Sequence, residues 1–129
     1  MTRPWQEIAE HYQPHCMDRP SLCALAALAR RIDTSQLAAG LFAWTSLFDL
    51  CIVQGPVSYP YNRPFLRLSP VSGDQIEFRY VDTWNEAKQW SRKVDCAQVG
   101  SRLLNFLDQL RWFPKEVLES EVAGWSPLD

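Results

Sequence analysis

Two histidines and a cysteine near the N-terminus are the residues whose types and spacing come closest to a metal site. His11 and His15 are four positions apart, and Cys16 follows directly. Positions i and i+4 share one face of a helix, and imidazole and thiolate are zinc ligands. Pro14, however, disfavours a helix through both histidines. A metal-binding protein or small enzyme using these three residues is one hypothesis. Our prediction is two surface histidines near a helix end, with no metal and no cofactor.

The four cysteines, at positions 16, 23, 51 and 96, form no Cys-x-x-Cys pair. A Cys–His nucleophile would need a thiol with a lowered pKa and a third group that orients the histidine, and the sequence shows neither. Nothing near the N-terminus resembles a signal peptide. We therefore expect a cytoplasmic protein whose thiols are reduced and mostly buried as small apolar side chains.

Acid–base chemistry would require paired carboxylates, and one carboxylate has no simple structural explanation. Asp49 interrupts the segment 45–54, which is otherwise apolar on both faces of a predicted strand. Burying an unpaired carboxylate there would be strongly unfavourable. Asp49 must therefore be half exposed or have a cation or backbone partner, and it is a candidate binding residue.

The segment 55–64, GPVSYPYNRP, has the composition of a binding loop. Tyr59, Tyr61 and Arg63 lie among three prolines, and tyrosine and arginine are enriched in binding hot spots. A loop stiffened by proline also loses less entropy on docking. The six tryptophans, Trp125 among them, exceed what a core of this size hides comfortably. We predict these four residues as partner- or ligand-binding; the simpler alternative is that the two tyrosine rings cover a sheet edge.

Charge and composition exclude several classes of protein. The net charge is −2 and no dense basic stripe is present, which argues against binding to nucleic acid. The apolar run Leu22–Ala29 is too short to span a bilayer. Glycine-rich phosphate-binding motifs and the common hydrolase motifs are absent from the sequence.

Alternating side chains predict an antiparallel hairpin with strands at 64–70 and 75–82. Gly73 lies in the turn, where a left-handed residue is needed. Two registers place apolar residues on one face. The register with Arg67 opposite Glu77 is predicted, because the alternative places Arg67 opposite Arg79.

The remaining segments predict helices around this hairpin. Two N-terminal helices begin near Pro4 and Pro20, and a third spans Leu37–Ala43. The segment Thr83–Glu86 resembles a capping box at the start of another helix. Apolar residues at 4-3-4-3 spacing predict an amphipathic helix over 96–113.

These elements predict the α+β class. We expect one domain, 1–129, with a three-stranded antiparallel sheet at 45–54, 64–70 and 75–82. N-terminal helices should flank the sheet and amphipathic C-terminal helices should cover it. The acidic segment 115–129 is expected to dock loosely.

The function predicted from these features is that of a non-catalytic binding module. Its aromatic surface residues would contact a partner protein or a second copy of the chain in a homodimer, and neither nucleic acid nor a membrane is expected. The alternatives are the small enzyme or metal-binding protein described above, and a small-molecule binder with a cleft between the sheet and the N-terminal helices.

Overall fold

The structure, a computed structural model, describes residues 2–17, 19–55 and 63–125, except for the side chains of Ala123 and Gly124. Within these residues the chain forms four α-helices and five β-strands. The helices are α1 (Trp5–Tyr12), α2 (Pro20–Asp33), α3 (Val99–Gln109) and α4 (Lys115–Trp125). The strands are β1 (Leu41–Ser46), β2 (Asp49–Gln54), β3 (Phe65–Ser72), β4 (Gln75–Val81) and β5 (Trp90–Asp95).

The described strands form one antiparallel sheet in the order β1-β2-β3-β4-β5. This confirms the α+β class, but the prediction of a three-stranded sheet is wrong. The segment predicted as one strand, 45–54, belongs to two strands, and a segment predicted as helical supplies β5. Each described strand pairs with its neighbour in sequence, and two-residue turns join β1 to β2 and β3 to β4.

The first hairpin, β1–β2, replaces a predicted helix and a predicted single strand. A 3-10 turn, Gln36–Ala39, takes the place of the helix over Leu37–Ala43, and the Ser35 hydroxyl caps it. In the following strand, buried Leu41 and Ala43 alternate with half-buried side chains, which is the period of a strand. Only two residues, Leu47 and Phe48, connect β1 to β2, and both are apolar, so the break is marked only by the residues that flank them.

The last strand, β5, replaces a predicted helix after the second hairpin. The Asp82 carboxylate accepts hydrogen bonds from the backbone N–H groups of Trp84 and Asn85, both at 3.0 Å. The same bonds cap the N-termini of helices, but here they stabilise a turn. The chain then makes a 3-10 turn at Glu86–Lys88 and returns along β4. The apparent capping box therefore marks a turn between two strands.

The predicted register of the hairpin formed by β3 and β4 is also wrong. Arg67 lies opposite Arg79, and a register shift between Pro70 and Ser72 leads into a short turn at Gly73. The repulsion between the two arginines is offset by carboxylates on the same face. Asp49 binds Arg67, and Glu77 Oε1 lies 3.7 Å from Arg79 Nε. Judging the register from two strands alone missed the contribution of β2.

The helices pack on one face of the sheet, which we call the helical face. The helix predicted over 96–113 is present as α3, preceded by a 3-10 turn at Cys96–Gln98. The Phe106 ring of α3 lies 5.0 Å from that of Phe78 on β4, between ring centroids. The two N-terminal helices agree with the prediction. The buried apolar residues of α1 and α2 are Trp5, Ile8, Ala9, Tyr12, Leu22, Leu25, Ala26, Leu28, Ala29 and Ile32.

The acidic C-terminal segment begins as the helix α4, with Leu118 and Trp125 buried. Trp125 Nε1 donates to the Glu121 carboxylate at 3.2 Å, and the other oxygen of that carboxylate accepts from the Gln36 backbone N–H at 3.1 Å. Glu121 thus links α4 to the 3-10 turn before β1. Among the described residues, no helix has both the length and the apolar character needed to cross a membrane.

Candidate binding site at the first hairpin turn

The site that gathers the most candidate residues is the turn between β1 and β2. We call Leu47 and Phe48 the hairpin tip. The C-terminal end of α1 contacts this turn through His11 and Tyr12, and the connection from α1 to α2 lies beside it. Of the residues singled out from the sequence, His11 and His15 meet here, and Asp49 follows the tip directly in sequence.

Leu47 combines a strained backbone with an exposed side chain. Its φ is 56°, in the left-handed region, and its side chain is 89% exposed. Hairpin turns normally place glycine, asparagine or aspartate in this conformation, and another residue there costs roughly 1–3 kcal/mol. Since a leucine so exposed recovers little of that energy by packing, folding alone does not explain its presence.

Two side chains of α1 hold the tip in place. His11 Nε2 donates to the Leu47 carbonyl at 3.0 Å, which requires a hydrogen on that nitrogen because a carbonyl only accepts. The Tyr12 hydroxyl donates to the Phe48 carbonyl at 3.0 Å. Burial raises the pKa of Tyr12 above its usual range, and Asp49 and Cys51 raise it further. Its hydroxyl therefore stays protonated as a donor at neutral pH.

The Phe48 ring lies close to the side chains of two histidines and one arginine. Its centroid is 4.9 Å from that of His15, in an edge-on arrangement, and 6.0 Å from that of His11. The Arg19 guanidinium carbon lies 5.7 Å from the same centroid, which is within the range of a cation–π contact. Met17, between His15 and Arg19 in sequence, is 95% exposed. The tip thus presents apolar side chains beside basic ones.

The contacts of His11, His15 and Cys16 leave the metal hypothesis without support among the described residues. Cys16 forms a disulfide with Cys23, with the two Cα atoms 4.6 Å apart, and a disulfide sulfur is not a thiolate ligand. His11 Nε2 is already bonded to the turn. No three His, Cys, Asp or Glu side chains within the described ranges are grouped to hold a metal ion. The expectation that all four thiols are reduced is wrong for this pair.

Both free thiols are poorly suited to nucleophilic catalysis. Burial raises the pKa of Cys51 to about 11, while Arg67 lowers it and Asp49 raises it by smaller amounts. Burial also raises the pKa of Cys96, and Asp74 and Asp95 raise it further. Because the thiolate is the reactive form, neither residue is activated at neutral pH.

Asp49 has the cationic partner that its position requires. Its Oδ2 lies 2.7 Å from Arg67 Nε, and both side chains are partly exposed. The pair lies on the sheet face opposite the helices, next to the buried Cys51. Asp49 therefore joins β2 to β3 directly below the tip, and this contact gives it a structural role.

The other predicted binding residues do not join this site. Tyr59 and Tyr61 lie outside the described residues. Arg63 is exposed near Gly55, just after the end of β2. Trp125 is 2% exposed and belongs to the core. Of the predicted loop, described Arg63 lies near Gly55, at the end of the β1–β2 hairpin opposite to the tip.

A groove of about 590 Å³ lies between the N-terminal helices and the end of β5. Its size is within the range of small-molecule sites. Three of the four cysteines line it, together with exposed Met17 and Arg30. The small-molecule alternative stays a prediction, with this groove as its location.

Leu47 and Arg19 were missed by sequence reasoning. The turn itself was detectable, because Ser46 and Asp49 flank Leu47-Phe48 and both residue types favour turns. Comparison of the chain with protein-family models, with curated proteins and with solved structures finds no match. Any function must therefore be argued from the geometry of the site.

Proposed function

We propose that this protein is a non-catalytic binding module that docks on a partner protein through the hairpin tip. The proposal is supported by the conformation and exposure of Leu47. Its left-handed backbone is unfavourable for folding, and its side chain is 89% exposed. Strained residues concentrate where function requires them. A binding role explains why an apolar side chain occupies a position suited to glycine or asparagine.

The energetics of docking favour this role. Burying one leucine against a partner contributes about 1.5–3 kcal/mol, which corresponds to roughly tenfold to more than a hundredfold in affinity. The hydrogen bonds from His11 and Tyr12 fix the turn before binding, so little conformational entropy is lost. Arg19 and His15, which lie against the Phe48 ring, supply a polar rim.

A protein is the class of partner that this shape suits. The tip is a protruding turn, whereas small-molecule sites are concave. A second copy of the chain is one such partner, and a homodimer would contain two tips related by symmetry. A cytoplasmic location also stays a proposal, and the Cys16–Cys23 disulfide weakens it because disulfides persist mainly in oxidising compartments.

The test begins with a photo-crosslinking amino acid at position 47 in the cells that naturally produce the protein. Position 84 is a matched control, because Trp84 is 66% exposed and lies in a different connection, between β4 and β5. A protein captured at 47 and not at 84 is then purified, and its affinity is measured for the wild type and for Leu47→Asn. We expect Leu47→Asn to weaken binding by about tenfold or more.

Leu47→Asn must also leave the fold intact for this result to count. Asparagine tolerates the left-handed conformation, so the free energy of unfolding should stay equal or rise by up to about 1 kcal/mol. Light scattering across a tenfold concentration range tests the homodimer at the same time. Unchanged affinity in Leu47→Asn, or a clear loss of stability in that variant, would contradict the proposal.

A further inference from the structure

The two edges of the sheet differ in how their outward backbone groups are used. At β1, the Arg3 backbone N–H donates to the Ala43 carbonyl at 2.8 Å, and Trp5 Nε1 donates to the Leu41 carbonyl at 3.0 Å. At β5, no described strand pairs with the side facing away from β4. Unpaired strand edges are templates for another extended chain.

The outward-facing groups of β5 follow from the pairing pattern. Antiparallel pairs alternate between those that exchange hydrogen bonds and those that do not. The Cys96 N–H donates to the Asp74 carbonyl at 2.9 Å, which makes 74–96 a hydrogen-bonded pair. Because the two kinds of pair alternate along the observed register, Ser91, Lys93 and Asp95 belong to pairs that do not exchange hydrogen bonds with β4. Their backbone N–H and C=O groups therefore point away from the sheet.

The centre of the exposed edge carries one cation on each face, while Asp95 lies at the C-terminal end of the strand. Lys93 is exposed on the face opposite the helices, and Arg92 is exposed on the helical face, where its guanidinium carbon lies 5.6 Å from the Trp90 ring centroid. Arg102 of α3 adds a third cation nearby. It lies 5.1 Å from the Phe106 ring, which in turn lies 4.8 Å from Trp90.

We infer that the β5 edge binds an extended, acidic segment of a partner protein as an added strand. Backbone hydrogen bonds to Ser91, Lys93 and Asp95 would supply the pairing. Two consecutive acidic residues of the segment would point to opposite faces, one toward Arg92 and one toward Lys93. The Arg92 Nη1 atom now donates to the Ser91 carbonyl at 2.8 Å, an exposed contact that the incoming strand would replace.

Charge also distinguishes this occupant from a second copy of the chain. If two β5 strands paired antiparallel about a two-fold axis near their centres, Arg92 and Lys93 of each copy would lie opposite or beside those of the other. Like charges across strands are destabilising, and lysine on an edge is a known protection against self-pairing. An acidic segment instead turns the same residues into attractive contacts.

The probe for the test is a synthetic acetyl-Thr-Val-Glu-Asp-Val-Thr-amide peptide, titrated into the isotopically labelled full-length protein and followed by NMR. A peptide with both acids replaced by lysine is its matched control. We expect saturable shifts of β5 resonances with the acidic peptide, and slowed amide exchange at Ser91, Lys93 and Asp95. The lysine peptide should bind at least about tenfold more weakly.

Variants at β5 separate backbone pairing from simple charge attraction. Lys93→Pro removes one outward N–H without removing a bond to β4, so it should fold and lose binding. Lys93→Gln keeps the N–H and should weaken binding only several-fold. The Arg92→Glu, Lys93→Glu double variant should reverse the preference between the two peptides. Equal binding of both peptides, undiminished binding by Lys93→Pro, or shifts confined to another surface would overturn the inference.

Two further outcomes are informative. Concentration-dependent shifts of β5 without peptide would identify a second copy as the occupant and would also overturn the inference. Leu47→Asn should bind the acidic peptide as the wild type does, because the hairpin tip is a separate surface. The β5 inference is therefore tested independently of the proposed function.

Discussion

The β1 and β5 edges of the sheet each have backbone N–H and C=O groups that no neighbouring strand in the sheet can bind, and the two edges differ in how these groups are covered. The N-terminal segment covers β1, with Arg3 and the Trp5 indole bonded to outward carbonyls. On the face away from the helices, Cys51 of the neighbouring β2 is buried. By contrast, β5 is exposed along most of its length and carries Arg92 and Lys93 at its centre.

The difference indicates that one edge of a small sheet can stabilise the fold while the other is available for binding. Covering an edge buries apolar surface and satisfies polar groups, so the covered edge stabilises the fold. Charging an edge prevents self-pairing and adds little stability, but it leaves the backbone groups available to a complementary partner. We therefore expect changes near β1 to alter the free energy of unfolding and changes near β5 to alter binding.

The largest expected contrast is between two tryptophans. Trp5 is buried against the β1 edge, whereas Trp84 is 66% exposed in the connection that precedes β5. Trp5→Ala should lower the free energy of unfolding by about 3–5 kcal/mol, because it removes a large core side chain. Trp84→Ala should change it by no more than about 0.5 kcal/mol. Denaturant titrations of both variants measure the difference.

Trp5→Phe is the control that isolates the edge hydrogen bond. It keeps much of the ring but leaves the buried Leu41 carbonyl without the indole donor, for an expected loss of about 1–3 kcal/mol. Similar stability changes at Trp5 and Trp84 would show that the two edges do not differ as described.

Alkaline pH should destabilise the covered side of the sheet. Burial raises the pKa of Cys51 from 9.0 to about 11. Between these values the unfolded chain releases the thiol proton while the folded chain keeps it, so unfolding becomes more favourable as pH rises. The stability contributed is complete below pH 9 and is lost toward pH 11, by about 2–3 kcal/mol in total.

Cys51→Ala should remove the part of the decrease in the free energy of unfolding that Cys51 causes at alkaline pH. Denaturant titrations between pH 8 and 11 measure this decrease. Tyr12, whose pKa is also raised by burial, will leave a residual decrease at the upper end of the range. Ser91→Ala at β5, which removes no titratable group from an exposed position, serves as the control. An unchanged profile in Cys51→Ala would show that this thiol does not become harder to ionise on folding.

Sequence reasoning succeeded where one periodic pattern determines the structure. The buried face of α1, with Trp5, Ile8 and Tyr12, and the amphipathic spacing of α3 were both predictable, because packing on a single core requires a helical period. The β3 and β4 segments were found for the same reason, through alternation. These elements carry enough apolar residues to outweigh competing local signals.

The missed features depend on contacts between distant segments. The register that pairs Arg67 with Arg79 depends on nearby carboxylates, and the one that binds Arg67, Asp49, comes from another strand. The Asp82 cap that diverts the chain into β5 mimics the signal for a helix. At the candidate site, His11 and Tyr12 each form a hydrogen bond with a tip residue that lies 36 positions later in the chain. No local pattern in the sequence encodes such meetings.

The smallest predicted effect concerns single amide protons and tests the alternation along β5. Arg92 and Val94 pair with β4 by hydrogen bonds, whereas Ser91 and Lys93 face outward. Hydrogen exchange followed by NMR should therefore be at least about tenfold slower at Arg92 and Val94 than at their outward-facing neighbours. The Arg3 amide, which donates to Ala43 at the other edge, should be protected as well. Uniform protection along β5 would mean that its outer side is already covered in the free protein, and the contrast between the two edges would then disappear.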